Sequence, residues 1–299
     1  MSRYHIVTDP DSGFLRLDPL PMDADLTDFY QSRYYHLLRA GSRAPDLARL
    51  MAGGPDADRE RDWLSRTQYQ DILEVASRHL SGRRVIDIGC GTGDFVAFLS
   101  ARGLEAHGIE PSIQAVEVAR GRGLSVTTET IEGCADAIAA GATAPYDMVS
   151  MLCVLEHIPD PRAMLATVRR ALVSDGVLCV KVPNDFSILQ RAAQTVNGAE
   201  DWWVAVPDHV NYFSADSLTV LLEKNGFRVR ERFADFPMEL FILMGRDYVS
   251  NPALGRECHE RRRSFELAMD GATRRDLYSR LAETGLGRNV VLVAEVVDQ

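Results

Sequence analysis

From residue 83 onward, short β-branched apolar runs alternate with stretches whose apolar residues recur every three or four positions. The runs "RRVIDIG", "EAHGIEP" and "PYDMVSMLCVLEH" are predicted as strands, the last running into a loop. "DGVLCVKVPN" is predicted as a hairpin-like turn followed by a strand. The helical pattern falls on "DFVAFLSARG", "IQAVEVARGRG" and "PRAMLATVRRAL", the first two stopping at a glycine. Such alternation predicts a largely parallel sheet with helices on both faces, whose ligands bind at the carboxyl ends of the strands.

The rhythm breaks after Pro183. Residues 184–213, "NDFSILQRAAQTVNGAEDWWVAVPDHVNYF", read as an inserted lid of mixed helix and loop. "SADSLTVLLEKNGF" restores a helix, with Ser214 as candidate cap and Leu218, Leu221 and Leu222 as its apolar face. "RVRERFADF" is predicted as a strand, residues 238–284 as mostly helical, and "NVVLVAEVV" as the last strand. Upstream, the polar turns "DPDSG" and "AGGPDADRE" flank a helical pattern that carries Leu26, Phe29, Tyr30, Tyr34, Leu37 and Leu38. A second helical pattern, "WLSRTQYQDILEVASRHL", stops at a Ser-Gly pair. The expected organisation is a helical extension over residues 1–80, placed to cover an active site, and a domain over 81–299 with insertions at 184–213 and 238–284.

Charge narrows the partners. A net charge of -10 and a pI near 5.2 give no general attraction to nucleic acid or anionic lipid. Cys90, Cys134, Cys153, Cys179 and Cys258 lack paired spacing and read as reduced thiols rather than a disulfide framework or zinc site. No stretch has the apolar length of a membrane span, and the first residues lack the run of a signal peptide, so the expected location is cytoplasmic.

"VIDIGCGTGDF", Val85 to Phe95, carries the chemistry. A glycine turn between strand and helix lets the backbone approach a ligand and aims amide donors at it. No Lys-Ser or Lys-Thr pair follows, which excludes a Walker loop, and Asp87 would repel a pyrophosphate. The carboxylate suits a ligand bearing an amino group, and Glu110, at the end of the next strand, suits a ribose diol.

This ordered set, "VIDIGCGTG", Glu110 and "YDMVSMLCVLEHIPDP", resembles the class I S-adenosylmethionine-dependent methyltransferases from about residue 83 to 297. The resemblance implies a Rossmann-like fold with a mixed seven-stranded sheet and S-adenosyl-L-methionine as cofactor, leaving S-adenosyl-L-homocysteine as product. It implies that Gly89, Cys90, Gly91 and Gly93 cradle the methionine part, that Asp87 receives the amino group and that Glu110 holds the ribose. Adenine would lie near Pro111 and Ser112, with Thr130 and Ile131 as neighbours if Ile131 is not core. Cys153 would stand at the methionine end, and Glu156 and His157 at the substrate opening, where capping and loop-orienting roles are the alternatives.

A hydroxyl or carbon acceptor needs proton removal, for which histidine is suited near neutral pH, whereas a neutral amine does not. His209 is the first candidate base and His157 the second. Trp202, Trp203, Asn211 and Tyr212 in the lid, with Tyr30 and Tyr34 from the extension, are candidate substrate contacts; packing is the competing role. "HVNYFS" is similar to related methyltransferases of polysaccharide and natural-product biosynthesis. Arg256, Arg261, Arg262, Arg263, Arg274 and Arg275 offer either a diphosphate site, represented by Arg261, or a solvated face paired with Glu257, Glu260 and Glu266. No metal is expected. The leading expectation is O-methylation of a small hydroxylated, carbohydrate-like or natural-product acceptor, with no membrane or nucleic-acid partner and a homodimer left open. The alternatives are N- or C-methylation of a natural product or sugar nucleotide, protein or tRNA methylation, and a non-catalytic cofactor-binding scaffold.

Overall fold

In a computed structural model, residues 4–22, 45–198 and 200–297 are described. The helix predicted around Tyr30 and Tyr34 lies outside them. Seven strands form one sheet in the order β5-β4-β3-β6-β7-β10-β9. They are β3 (Arg84–Ile88), β4 (Glu105–Ile109), β5 (Val126–Thr127), β6 (Tyr146–Leu152), β7 (Leu172–Pro183), β9 (Phe227–Ala234) and β10 (Asn289–Val296). The five from β5 to β7 are parallel, and β10 inserts antiparallel to both β7 and β9. Their central segments are buried on both faces, which is why they read in the sequence as apolar runs rather than alternating patterns.

One face of the sheet carries Ile86, Ile88, Val149, Leu178 and Val180 against the helices α6 (Ile131–Ala139), α7 (Pro161–Ala171) and α9 (Ala215–Lys224). The other carries Val85, Met148, Val177 and Cys179 against α3 (Gln68–Ala76) and α4 (Asp94–Ser100). Ser214 caps α9, its hydroxyl accepting from the Ser217 amide, as its position predicts. The turn expected at the start of "DGVLCVKVPN" is absorbed into β7 as an irregularity: Tyr146 pairs Leu172, but Met148 pairs Val177. "GGPDADRE", expected as a turn, is instead the start of α2 (Gly54–Arg66), because Pro55 is tolerated in a first helical turn while Ala57 and Glu60 are buried.

Two short strands in the first twenty residues were not predicted. β1 (His5–Thr8) and β2 (Leu15–Asp18) form an antiparallel pair, and β2 pairs in turn with β8 (Asn211–Tyr212) of the lid. Leu17, Val210 and Tyr212 make the small core under this second sheet.

The arginine-rich stretch forms α11 (Pro252–Ala268) and α12 (Gly271–Glu283). Arg274 makes a bidentate pair with buried Asp71 at 2.7 and 3.0 Å, and Arg275 reaches the same carboxylate. Arg262 lies between Asp235 and Glu266, and Glu266 also accepts from the Trp63 indole and the Tyr278 hydroxyl. Arg263 pairs with Glu260, and exposed Arg261 with Glu257 one turn away. Arg274 and Arg275 thus join the helical insertion to α3, and Arg263 also reaches Glu60 of α2 at 3.7 Å, so these arginines have carboxylate partners.

Candidate active site

The loop after β3 is held by its neighbours. The amides of Gly89 and Cys90 donate to the Ile109 carbonyl, and the Gly91 amide donates to the Glu110 carboxylate at 3.0 Å. The other Glu110 oxygen accepts from the Ser112 amide. Gly89, Gly91 and Gly93 all have positive φ, and a side chain on Gly89 would lie 2.6 Å from Val154. Position 89 is thus closed to side chains.

Asp87 lies beneath this loop and is buried. Its described hydrogen bond comes from the Ser150 hydroxyl at 2.6 Å, and burial, with Glu110 adding like charge, pushes its carboxyl up to about 7. Burial likewise raises Glu110, although two amides oppose the shift. A buried Asp87 and a half-buried Glu110, with no cation paired to either among the described residues, fit an amino group and a polyol. The residues present therefore suit S-adenosylmethionine. Thr130 caps α6 through the Gly133 amide and is exposed, while Ile131 belongs to the core. Pro111 is exposed beside Ser112, which caps α5 (Ile113–Gly121). Cys153 is exposed, at φ 61, at the end of β6.

The turn after β6, Leu155–His157, is clasped by the lid. The Val210 amide donates to the Glu156 carbonyl, and the Asn211 amide group donates to the carbonyls of Leu155 and Ile158 at 3.3 and 2.8 Å. His157 Nδ1 lies 2.8 Å from the Asp208 carbonyl; since a carbonyl cannot donate, Nδ1 carries the proton and Nε2 is the acceptor nitrogen of the neutral ring. The His157 and His209 rings meet edge to face with centroids 4.8 Å apart. Behind them Glu156 is 1% exposed, and burial pushes its carboxyl up to about 8, with Asp185 and Asp208 adding like charge against Lys181. One oxygen from Glu156 and one nitrogen from each histidine lie within 4.8 Å of one another.

Not every candidate shares this space. Asn211 is buried and its amide serves the turn; Tyr212 packs in the small core and meets Phe186 edge to face. Trp203 is 3% exposed, with Trp202 half-buried against it. Arg261 is exposed in the helical insertion, where it pairs with Glu257. Sequence reasoning missed Ser150 and, although Asp208 stood out among the polar residues of the lid, the part played by its carbonyl. A serine inside the apolar "MVSML" was the available signal for the first; the second is a backbone role, which leaves no sequence trace.

An open sheet with an antiparallel strand between β7 and β9, and a glycine loop above Asp87 with Glu110 beside it, define a class I S-adenosylmethionine-dependent methyltransferase. Residues 57–232, more than half of the chain, match a family model described as a methyltransferase domain, and the chain belongs to that family. It is 39% identical over 127 residues to a ubiquinone biosynthesis O-methyltransferase of Paraburkholderia phytofirmans, which covers 39% of this chain and 54% of that protein. It is also 39% identical over 95 residues to the enzyme of that name from Burkholderia orbicola, covering 30% of this chain and 40% of that protein. The chain thus spans about half the length of these curated relatives or less. A SAM-dependent methyltransferase from Archaeoglobus fulgidus shares the fold, with a TM-score of 0.51 at 17% identity over 88% of this chain and 99% of that one. Among the described residues no helix is long and apolar enough to cross a membrane.

Proposed function

We propose that this methyltransferase acts on the hydroxyl of a small, ring-shaped acceptor. The observation that carries this reading is the pairing of His157 and His209 at the carboxyl end of β6, beside the strand that bears the glycine loop. An amine acceptor has no need of such a pair, whereas a hydroxyl must lose its proton as it is methylated. The relatives named as O-methyltransferases agree with it. The carbohydrate-like or natural-product character of the acceptor rests on the "HVNYFS" resemblance and the half-buried Trp202 at the lid.

Bound S-adenosylmethionine supplies an electrophilic methyl on a sulfonium. Gly89, Gly91 and Gly93 hold its methionine end, Asp87 takes the ammonium and Glu110 the ribose hydroxyls. On the acceptor side, the Asp208 carbonyl fixes the His157 tautomer so that Nε2 accepts the proton, and His209 stands across from it. Asn211 holds the turn that places His157.

The test is transfer of a labelled methyl group to a panel of phenols, sugars and amines, alongside S-adenosylhomocysteine binding. Label on oxygen, lost in H157A and H209A with binding retained, supports the reading. Transfer to amines alone, or wild-type turnover and pH dependence in both variants, overturns it.

A further inference from the structure

Glu156, His157 and His209 converge from two segments, the turn after β6 and the lid. Their donor atoms lie within 4.8 Å of one another. His157 Nε2 is 4.0 Å from a Glu156 oxygen. A divalent ion with ligand bonds of about 2.1 Å holds its donors about 3 to 3.5 Å apart, so small side-chain rotations close the set.

Three features mark this as more than a chance cluster. Glu156 is 1% exposed; its Oε1 lies 4.0 Å from His157 Nε2 and its Oε2 has no hydrogen-bond partner among the described residues, so a buried carboxylate with unused acceptor capacity borders the group. His157 is oriented as metal-bound imidazoles are: its far nitrogen donates to a backbone carbonyl, that of Asp208, which turns the lone pair of Nε2 toward Glu156. The two rings also meet edge to face with centroids 4.8 Å apart, which brings the ligand from the lid against the ligand from the turn. His157 and His209 are partly exposed, which leaves a path for entry.

We propose that Glu156, His157 and His209 form a site for one divalent transition-metal ion, with positions left open for the hydroxyl oxygen of the acceptor. Two imidazoles and a carboxylate favour Zn²⁺, Mn²⁺, Co²⁺ or Fe²⁺ over Mg²⁺, which prefers oxygen donors. Three protein ligands leave the coordination shell incomplete, as catalytic rather than structural sites do. Coordination acidifies the hydroxyl, whose proton passes to solvent while both electrons of the O–H bond remain on oxygen. The imidazoles then serve as ligands, and proton loss no longer depends on their basicity. This role rests on the hydroxyl-methylation reading; the metal site itself does not.

The experiment strips the full chain with a chelator, removes the chelator, and titrates Zn²⁺, Mn²⁺, Co²⁺ and Mg²⁺ separately by calorimetry, with the visible spectrum of Co²⁺ reporting geometry. S-adenosylhomocysteine binding and circular dichroism are measured on every sample. One equivalent of Co²⁺ or Zn²⁺ per chain is expected, weakened at least about tenfold in E156Q and in H209A. H209A changes a partly exposed lid residue and keeps the test decisive if E156Q does not fold. No stoichiometric binding of any of the four ions, or equal affinity in both folded variants, overturns the site. Methyl transfer to a hydroxyl that survives chelation with full activity overturns its catalytic role and leaves the function reading intact, while metal binding without any methyl transfer supports the site and sinks that reading.

Discussion

The glycine loop at residues 88–93 and the turn at residues 153–158 leave adjacent parallel strands of one sheet, yet different parts of the chain hold them. The glycine loop is fixed by the next strand: Ile109 and Glu110 receive its amides, about twenty residues away in sequence. The turn is fixed by Asp208, Val210 and Asn211 of the lid, about fifty residues on. The lid in turn pairs with β2, nearly two hundred residues back. A cofactor pocket closed by neighbouring strands keeps one geometry whatever the acceptor. An acceptor pocket assembled from distant segments can change with them while the sheet stays the same.

Substitutions on either side separate the two regions. The largest effect is expected on the acceptor side: H157A or H209A should lower turnover about 100- to 10,000-fold while S-adenosylhomocysteine affinity changes little. Loss of product affinity in step with turnover would merge the two regions into one. On the cofactor side, Gly89→Val places a side chain against Val154 at a positive φ, and calorimetry should show product affinity reduced by about 100-fold, or roughly 2.7 kcal/mol.

Asn211→Leu removes the donor that serves two carbonyls of the turn, and urea unfolding should register a loss of about 1–3 kcal/mol. Amide exchange should then quicken over residues 155–158, with the glycine loop unaffected. Exchange that quickens equally in both would show that the lid braces the cofactor side as well.

A gentler probe is pH. Asp87 has its carboxyl raised to about 7 in the folded chain against 3.8 for an ordinary aspartate, so the folded state holds its proton more tightly. The resulting stability is fully present below about pH 4 and is lost as pH rises through 7. An ammonium bound at Asp87 favours the ionised form, so product affinity should climb with pH to about 7 and then level, and the slope should vanish in D87N. Ser150→Ala, the mildest change, costs about 1 kcal/mol and moves that plateau to higher pH, because the hydroxyl holds the carboxyl down. A plateau that stays in place would remove Ser150 from the cofactor side.

Legibility followed the same division. β3, β6, β7 and β10 were readable because strands buried at their centres concentrate apolar residues, and the glycine loop because its positive φ angles demand glycine. β5 was hard to place because it is two residues long, with little periodicity to detect. The hairpin of β1 and β2 escaped because "HIVT" and "LRLD" are four residues each and the first is largely exposed. The partners of the arginine cluster were readable only in part, because Glu257, Glu260 and Glu266 are close in sequence whereas Asp71 and Asp235 are remote.

"PDHVNYFS" shows where sequence ends and structure begins. Local chemistry by itself determined that Ser214 caps a helix, that a glycine loop follows a strand, and that a carboxylate ends the next one, since each depends on residues a few positions apart or on a single strand-to-helix turn. Tertiary structure decided that Asn211 clasps a turn, that Tyr212 fills a small core with Leu17, and that His209 faces His157 with Glu156 behind them. Those roles depend on which distant surfaces meet, and the identity of a side chain does not record what folding brings against it.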